Sequence, residues 1–524
     1  MRFKYILVTT LTFLLVACLS PTNKPKNLIL IIGDGLGPQQ LGFLVNFSRL
    51  NKFNAIKGKK LNTELFLKEA TTGYMLTHPY EILVADSASS ATQLALGEFS
   101  RSEMIGLDFQ GNRVKTILEK ANEQGFKTGL ISNTRITHAT PASFGAHQPH
   151  RSMESSIAKD FLTSKPDLLL SAGLAYFLPA KSTRESIPPE LANRIPPEVS
   201  ISSRRKDELN LLNSFEESGY QLAFSKEQLN EIKGGKVLGL FQKSAMPDAL
   251  QVKADNENGK RYYPTLKEMT ESALSIFKQD SEPFFLMIEA GQIDWASHNN
   301  DAGTLLHELL QFDEMLGSVQ SFQKKNSDTL VIITADHSTG GFGLSYSRSS
   351  LPVPVKLPGD GFEGFEYAPA FNFGTPEILE NIYNQRESFA TIIAKYDSLP
   401  AGQQTPNNLR SLIYEATGYQ LSAQAINRIL ATETNSYFKA AHKYLSEKKF
   451  PKVEDFKAFY TYGSDVRMPL IGRQLAEQQM VTWSTGTHTD TPVVLFAQGP
   501  GAVKFNGVKH STEVGKMMQQ LLGL

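Results

Sequence analysis

Seven stretches of the chain are apolar without alternation: Asn27 to Asp34 (NLILIIGD), Phe126 to Ser132, Pro166 to Ala172, Val237 to Phe241, Pro283 to Glu289 (PFFLMIE), Thr329 to Asp336 (TLVIITAD) and Thr491 to Gln498. Such runs predict strands buried on both faces of a parallel sheet. Between them the apolar period lengthens to that of a helix, at Arg113 to Gln124, Thr265 to Gln279, Thr304 to Lys324 and Ser511 to Leu522. Strands alternating with helices predict an α/β layered fold with a mostly parallel central sheet, in which ligands gather beyond the carboxyl ends of the strands. A further helix is expected in VADSASSATQLALG, Val84 to Gly97, where Asp86 or Ser87 caps the start and Gly97 ends it. Its first-turn amides would favour an anion beside the Ser87 hydroxyl.

Composition narrows the partners. Lys plus Arg equals Asp plus Glu, 53 against 53, so no global charge draws the chain to nucleic acid. Arg2 and Lys4 precede the apolar run Tyr5 to Ala17, too short for a membrane span and laid out as a secretory signal. It ends in Leu15-Val16-Ala17-Cys18, with the only cysteine of the chain at the acceptor position. The pattern resembles a bacterial lipoprotein signal: cleavage after residue 17, lipid on Cys18, a tether over residues 18–26, and a membrane anchorage that faces the periplasm or the cell surface. With a single cysteine, no intramolecular disulfide can form.

The ends of the predicted strands carry the chemistry. Asp34 closes the first run, Glu289 closes PFFLMIE, and Asp336 with His337 closes TLVIITAD. Beyond Glu289, Asp294 and His298 are four apart and share one face of a helix, a spacing common to metal ligands and surface ion pairs alike. Thr137 to Arg151 (THATPASFGAHQPHR) brings a hydroxyl at Thr140 and a guanidinium at Arg151, whose planar fork of donors matches two phosphate oxygens. His488 lies in a loop, WSTGTHTD, just before the last apolar run.

Taken in order, NLILIIGDGLG, VADSASSATQLALG, ITHATPASFGAHQPHR, the segment from Pro264 to Asp301, VIITADHSTGGF and TGTHTDTPVVLFAQGPGA together resemble the alkaline phosphatase family. The resemblance implies phosphate monoesters as substrates and Ser87 as a nucleophile that becomes phosphorylated, with Arg151 as the phosphate-binding arginine. It implies two zinc ions, one on Asp294, His298 and His488 and the other on Asp34, Asp336 and His337. It also implies one magnesium, held by Asp34, Thr140 and Glu289. Activity would rise toward alkaline pH, and a homodimer is among the implied assemblies.

Two positions depart from the family's pattern. His138 stands where an acid is found near the magnesium in the bacterial type member, and Trp295 stands where other members carry Lys or His. Both bear on metal dependence and product release. The resemblance places a catalytic core at residues 27–342 and 481–524, split by an insertion over residues 343–480. That insertion opens with a Gly- and Pro-rich passage and then shows helical patterns at Pro376 to Tyr396, Leu421 to Ala431 and Phe438 to Glu447. A phosphodiesterase of the same superfamily and a non-catalytic metal- or phosphate-binding lipoprotein are the competing readings. The joint presence of Ser87, Arg151, Thr140 and Glu289 speaks against the former, and the intact ligand set against the latter.

Overall fold

The computed structural model describes residues 24–50, 60–279 and 281–524; Cys18 and the predicted signal lie outside them. One sheet of ten strands organises the chain. In chain order these are β1 (Asn27–Gly33), β2 (Thr71–Leu76), β3 (Lys127–Ser132), β4 (Leu168–Ser171), β5 (Tyr220–Ala223), β6 (Lys236–Leu240), β7 (Phe284–Ala290), β8 (Thr329–Thr334), β9 (Val493–Gln498) and β10 (Gly507–His510). Their spatial order is β10-β2-β9-β8-β1-β7-β3-β4-β6-β5. Every neighbouring pair is parallel except the two made by β9, which runs against β2 and β8. All residues of β1, β7 and β8 are buried, which is why these three read as unbroken apolar runs.

Each of the seven predicted strands is present, and β2, β5 and β10 are additional. β2 and β10 sit at one margin of the sheet and β5 forms the other edge. β2 alternates exposed and buried positions and β10 has no fully buried residue, so neither leaves a continuous apolar signal.

Helices cover the sheet. Those used below are α1 (Ser87–Leu96), α2 (Ala139–Gly145) and α3 (Gln292–His298). Asp86 caps α1, accepting from Ala88 N at 3.3 Å and Ser89 N at 3.2 Å, and Gly97 ends it at φ 75°. Two of the first-turn amides expected to face an anion, those of Ala88 and Ser89, are therefore already taken by Asp86.

Residues 389–475 contain a second buried apolar cluster of their own, built on residues such as Phe389, Leu409, Ile426 and Ile471. Two of the helical patterns there differ from expectation. The pattern from Pro376 to Tyr396 is two helices, Glu377–Tyr383 and Phe389–Ser398. Between them Gln385 turns inward to Asp301 Oδ1 at 2.7 Å, and Ser388 caps a new helix start. Phe438 to Glu447 is not helical. It links two antiparallel strands, Thr432–Thr434 and Lys449–Pro451. Asn435 Nδ2 donates to the carbonyls of Leu445 and Glu447, and His442 Nδ1 accepts from Tyr444 N and Leu445 N, which commits the backbone to turns.

Candidate active site

The site lies beyond the carboxyl ends of β8, β1 and β7, three adjacent strands. Register brings the acids level: Ile32 pairs with both Thr334 and Glu289, and Asp34 N donates to Ala290 O at 3.2 Å. Gly35 follows at φ 71°, where a Cβ would fall 2.8 Å from Asp294 Cα. A side chain there would push β1 away from α3.

Three groups of potential ligands meet at this point: Asp294, His298 and His488; Asp34, Asp336 and His337; and Asp34, His138 and Glu289. Within each, the donor atoms lie within 4.8 Å of one another. Helix α3 carries Asp294 and His298 on one face. His488 reaches them because His488–Thr489 forms a short antiparallel ribbon with Ser338–Thr339, directly after His337. His298 Nε2 and His488 Nε2 stand 3.0 Å apart. Their other ring nitrogens lie against backbone carbonyls, His298 Nδ1 on Gly486 O and His488 Nδ1 on Ala85 O, each at 2.8 Å. With each Nδ1–H donating to its carbonyl, each Nε2 is turned toward the cluster.

The acids are buried without enough partners. Neither oxygen of Asp34 meets a hydrogen-bond donor at proper geometry, and neither do Asp336 Oδ2 and Thr140 Oγ1. Asp336 Oδ1 is committed to the amides of Gly35 and His337. Burial and the neighbouring Asp336, Asp294 and Glu289 carboxylates push Asp34 well above the usual carboxylate range. Burial and Asp294 raise Asp336 to about 6. Burial alone would raise Asp294 too, but His298 and His488 hold it well below its ordinary value. Burial depresses His337 to about 4 and His488 to about 3, so both rings are neutral. Orphaned acceptors and neutral imidazoles around shared centres are what divalent cations require. The donor sets fit metal ions.

Ser87 is buried, with Oγ 3.2 Å from His337 Nε2. Arg151 is held beside it through Asp86: Nη1 donates to Asp86 Oδ2 at 3.1 Å, while Nη2 lies 3.2 Å from His138 Nε2. Glu103 fixes both partners, its N–H donating to Asp86 Oδ1 and its carbonyl accepting from Arg151 N. Asp86 thus ties the start of α1 to the guanidinium, a link that the motif shows only as an acid before a serine.

Thr140 comes from α2, and Glu289 accepts from Thr134 Oγ1 at 3.1 Å and from Ser132 Oγ. His138 stands at the N-cap of α2 without capping it, and its Nδ1 is 3.4 Å from Glu289 Oε1. The residue that departs from the family pattern is therefore a member of the third ligand group itself. Trp295 packs edge-on against His138, ring centroids 5.9 Å apart. His147 and His150 bond to Glu119 and Glu103 outside the three groups.

A family model described as alkaline phosphatase matches residues 25–524. Alkaline phosphatase 4 of Bacillus subtilis is 28% identical over 506 residues, covering 95% of this chain and 88% of that protein. The alkaline phosphatase of Schizosaccharomyces pombe is 32% identical over 515 residues, 96% of this chain and 82% of its own length. The crystal structure of Thermus thermophilus alkaline phosphatase is similar in fold, with a TM-score of 0.73 at 24% identity over 96% of this chain and 92% of that one. With the model spanning all but the first residues and the ligand groups assembled at the strand ends, this chain belongs to the alkaline phosphatase family.

Proposed function

We propose that this enzyme hydrolyses phosphate monoesters through a phosphoserine at Ser87, using two zinc ions and one magnesium. The observation that carries the reading is the meeting of Ser87 Oγ with His337 beside buried carboxylates that lack partners. Mixed imidazole and carboxylate donors suit zinc on Asp294, His298 and His488 and on Asp34, Asp336 and His337. Asp34, Thr140 and Glu289 supply oxygens suited to magnesium, and the imidazole of His138 widens the third site toward nitrogen-preferring cations. When bound, such ions lower the pKa of a hydroxyl and offset charge on the entering and leaving oxygens of an in-line displacement.

The residues of the chain do the rest. Ser87 Oγ forms a bond to phosphorus as the ester oxygen departs with its alcohol. Water then cleaves the phosphoserine and releases inorganic phosphate. Arg151 presents its fork to two phosphoryl oxygens, and Asp86 keeps that fork from swinging into solvent. A diester has one fewer free oxygen for these donors. A chromogenic aryl monoester is expected to be hydrolysed and the matching diester hardly at all, with chelator abolishing the activity. Faster diester hydrolysis, or indifference to chelator, would overturn the assignment.

Lipid on Cys18 and an outer-membrane location facing the periplasm or the surface are proposed from the Leu15 to Cys18 pattern. An unmodified Cys18 in the mature protein, seen by mass spectrometry, would exclude them. A homodimer is proposed from the exposed apolar side chains between Leu344 and Phe373, among them Val353 at 80% and Phe365 at 74% exposure. A solution mass of one chain would exclude it.

A further inference from the structure

Tyr462 belongs to residues 343–480, yet it reaches the ligand groups. Its backbone is brought there by the loop that bears His488. Phe459 O accepts from Thr485 Oγ1 at 2.9 Å and from Gly486 N at 3.2 Å. The adjoining Tyr460 ring lies so close over Gly486 that a Cβ there would fall 2.8 Å from it. The turn from Phe459 to Tyr462 and the loop before His488 therefore form one clamped unit.

The Tyr462 ring stands edge-on to His298, with centroids 4.9 Å apart and an interplanar angle of 82°. Tyr444 meets it in the same way on another side, at 5.1 Å and 89°. The side chain is half-buried, and its hydroxyl, not enclosed, has no hydrogen-bond partner among the described residues. A phenol O–H can donate a hydrogen bond.

Direction decides what it would touch. Ser87 approaches phosphorus from the side of His337. In-line displacement places the departing oxygen on the side away from Ser87, and the ligand group that shares no residue with that of His337 is Asp294, His298 and His488. Tyr462 covers the His298 side of that group. We infer that Tyr462 is a specificity-determining residue whose hydroxyl and ring form the wall against which the alcohol portion of the phosphate monoester rests. The inference builds on the phosphoserine reading above, because it takes its direction from Ser87 as nucleophile.

The test compares Tyr462→Phe and Tyr462→Ala with the parent enzyme on two monoesters, an aryl phosphate and glycerol phosphate. Inorganic phosphate serves as competitive inhibitor, and bound metal is measured alongside. Loss of the hydroxyl in Tyr462→Phe is expected to lower kcat/KM for glycerol phosphate roughly fivefold, the loss of one hydrogen bond, and to spare the aryl ester. Tyr462→Ala is expected to lower both. Inorganic phosphate has no alcohol portion, so its inhibition constant should stay at the parent value, as should metal content.

Unchanged kcat/KM for both esters in both variants would overturn the inference. So would a parallel loss on both esters in Tyr462→Phe, or a changed phosphate inhibition constant, which would place the side chain on the phosphoryl group. Reduced metal content would make Tyr462 a prop for His298 instead. Failure of the phosphoserine reading shows separately, as absence of phosphate on Ser87 in the acid-quenched parent enzyme.

Discussion

Ser87→Ala is expected to lower monoester hydrolysis by roughly three orders of magnitude or more, since removing a nucleophile leaves only the contribution of the surrounding site. The structure makes this a clean substitution. The cap of α1 is the Asp86 carboxylate, not the Ser87 hydroxyl, and alanine is the better helix former at the first helical position. Ser87 is fully enclosed, and its Oγ has His337 Nε2 as its neighbour, so the deletion removes one hydroxyl and leaves the ligand groups in place. Melting temperature and metal content should therefore remain near those of the parent. Acid quenching during turnover should trap phosphate on Ser87 in the parent and none in the variant. Near-normal turnover by Ser87→Ala would remove the phosphoserine from the mechanism.

The second large effect concerns protons displaced by metal. In the metal-free protein burial and Asp294 push Asp336 up to about 6, burial and its acidic neighbours raise Asp34 well above the usual carboxylate range, and Asp294 raises His298 against the opposing effect of burial. All three must lose a proton to act as ligands. His337 and His488, depressed to about 4 and about 3, have none to lose above those values. The sign follows: as pH falls through about 6, protons compete with metal for Asp336, the raised Asp34 and His298 add to that competition, and affinity drops by up to about tenfold per pH unit for each proton displaced. Chelated protein reloaded with zinc between about pH 5 and 7 should release protons and bind more tightly at the upper end. Activity should follow metal content. Binding that neither releases protons nor varies with pH over that interval would show that these groups do not coordinate the ion.

How much of this could be read from sequence depends on how far apart the partners lie in the chain. The apolar runs gave away β1, β7 and β8 because these strands are buried on both faces, and the acids at their ends gave away the side of the sheet where chemistry gathers. Asp294 with His298 was visible because a helix period puts them together. Nothing local joins His488 to them. That union is made by the ribbon pairing His488 with Thr339, and only resemblance to the family anticipated it. Asp86 was legible as a cap but not as the holder of Arg151, because the same carboxylate does both and the second partner is far along the chain. His138, in sequence, is a departure from the family's pattern that bears on the third site. Its ring is free to join that site because it occupies an N-cap position without capping. Phe438 to Glu447 shows the reverse error: a helical pattern lost to side chains of Asn435 and His442 that bind its backbone in turns.

The reversed strand β9 has a consequence for the order in which the molecule can assemble. It lies between β2 and β8, although it is made almost last. As the chain emerges, β8, β1, β7, β3, β4, β6 and β5 can form a continuous sheet from residues already present, whereas β2 must wait for β9 and β10. His488 arrives with the same late segment, after residues 343–480 have been completed. Asp34, Asp336 and His337 are in place before it, so one ligand group can close early while the group of Asp294 and His298 stays open until the far end of the chain docks. Completion of that group is coupled to completion of the sheet, and a chain cut short before Trp483 would lack both the interior strand and the third ligand.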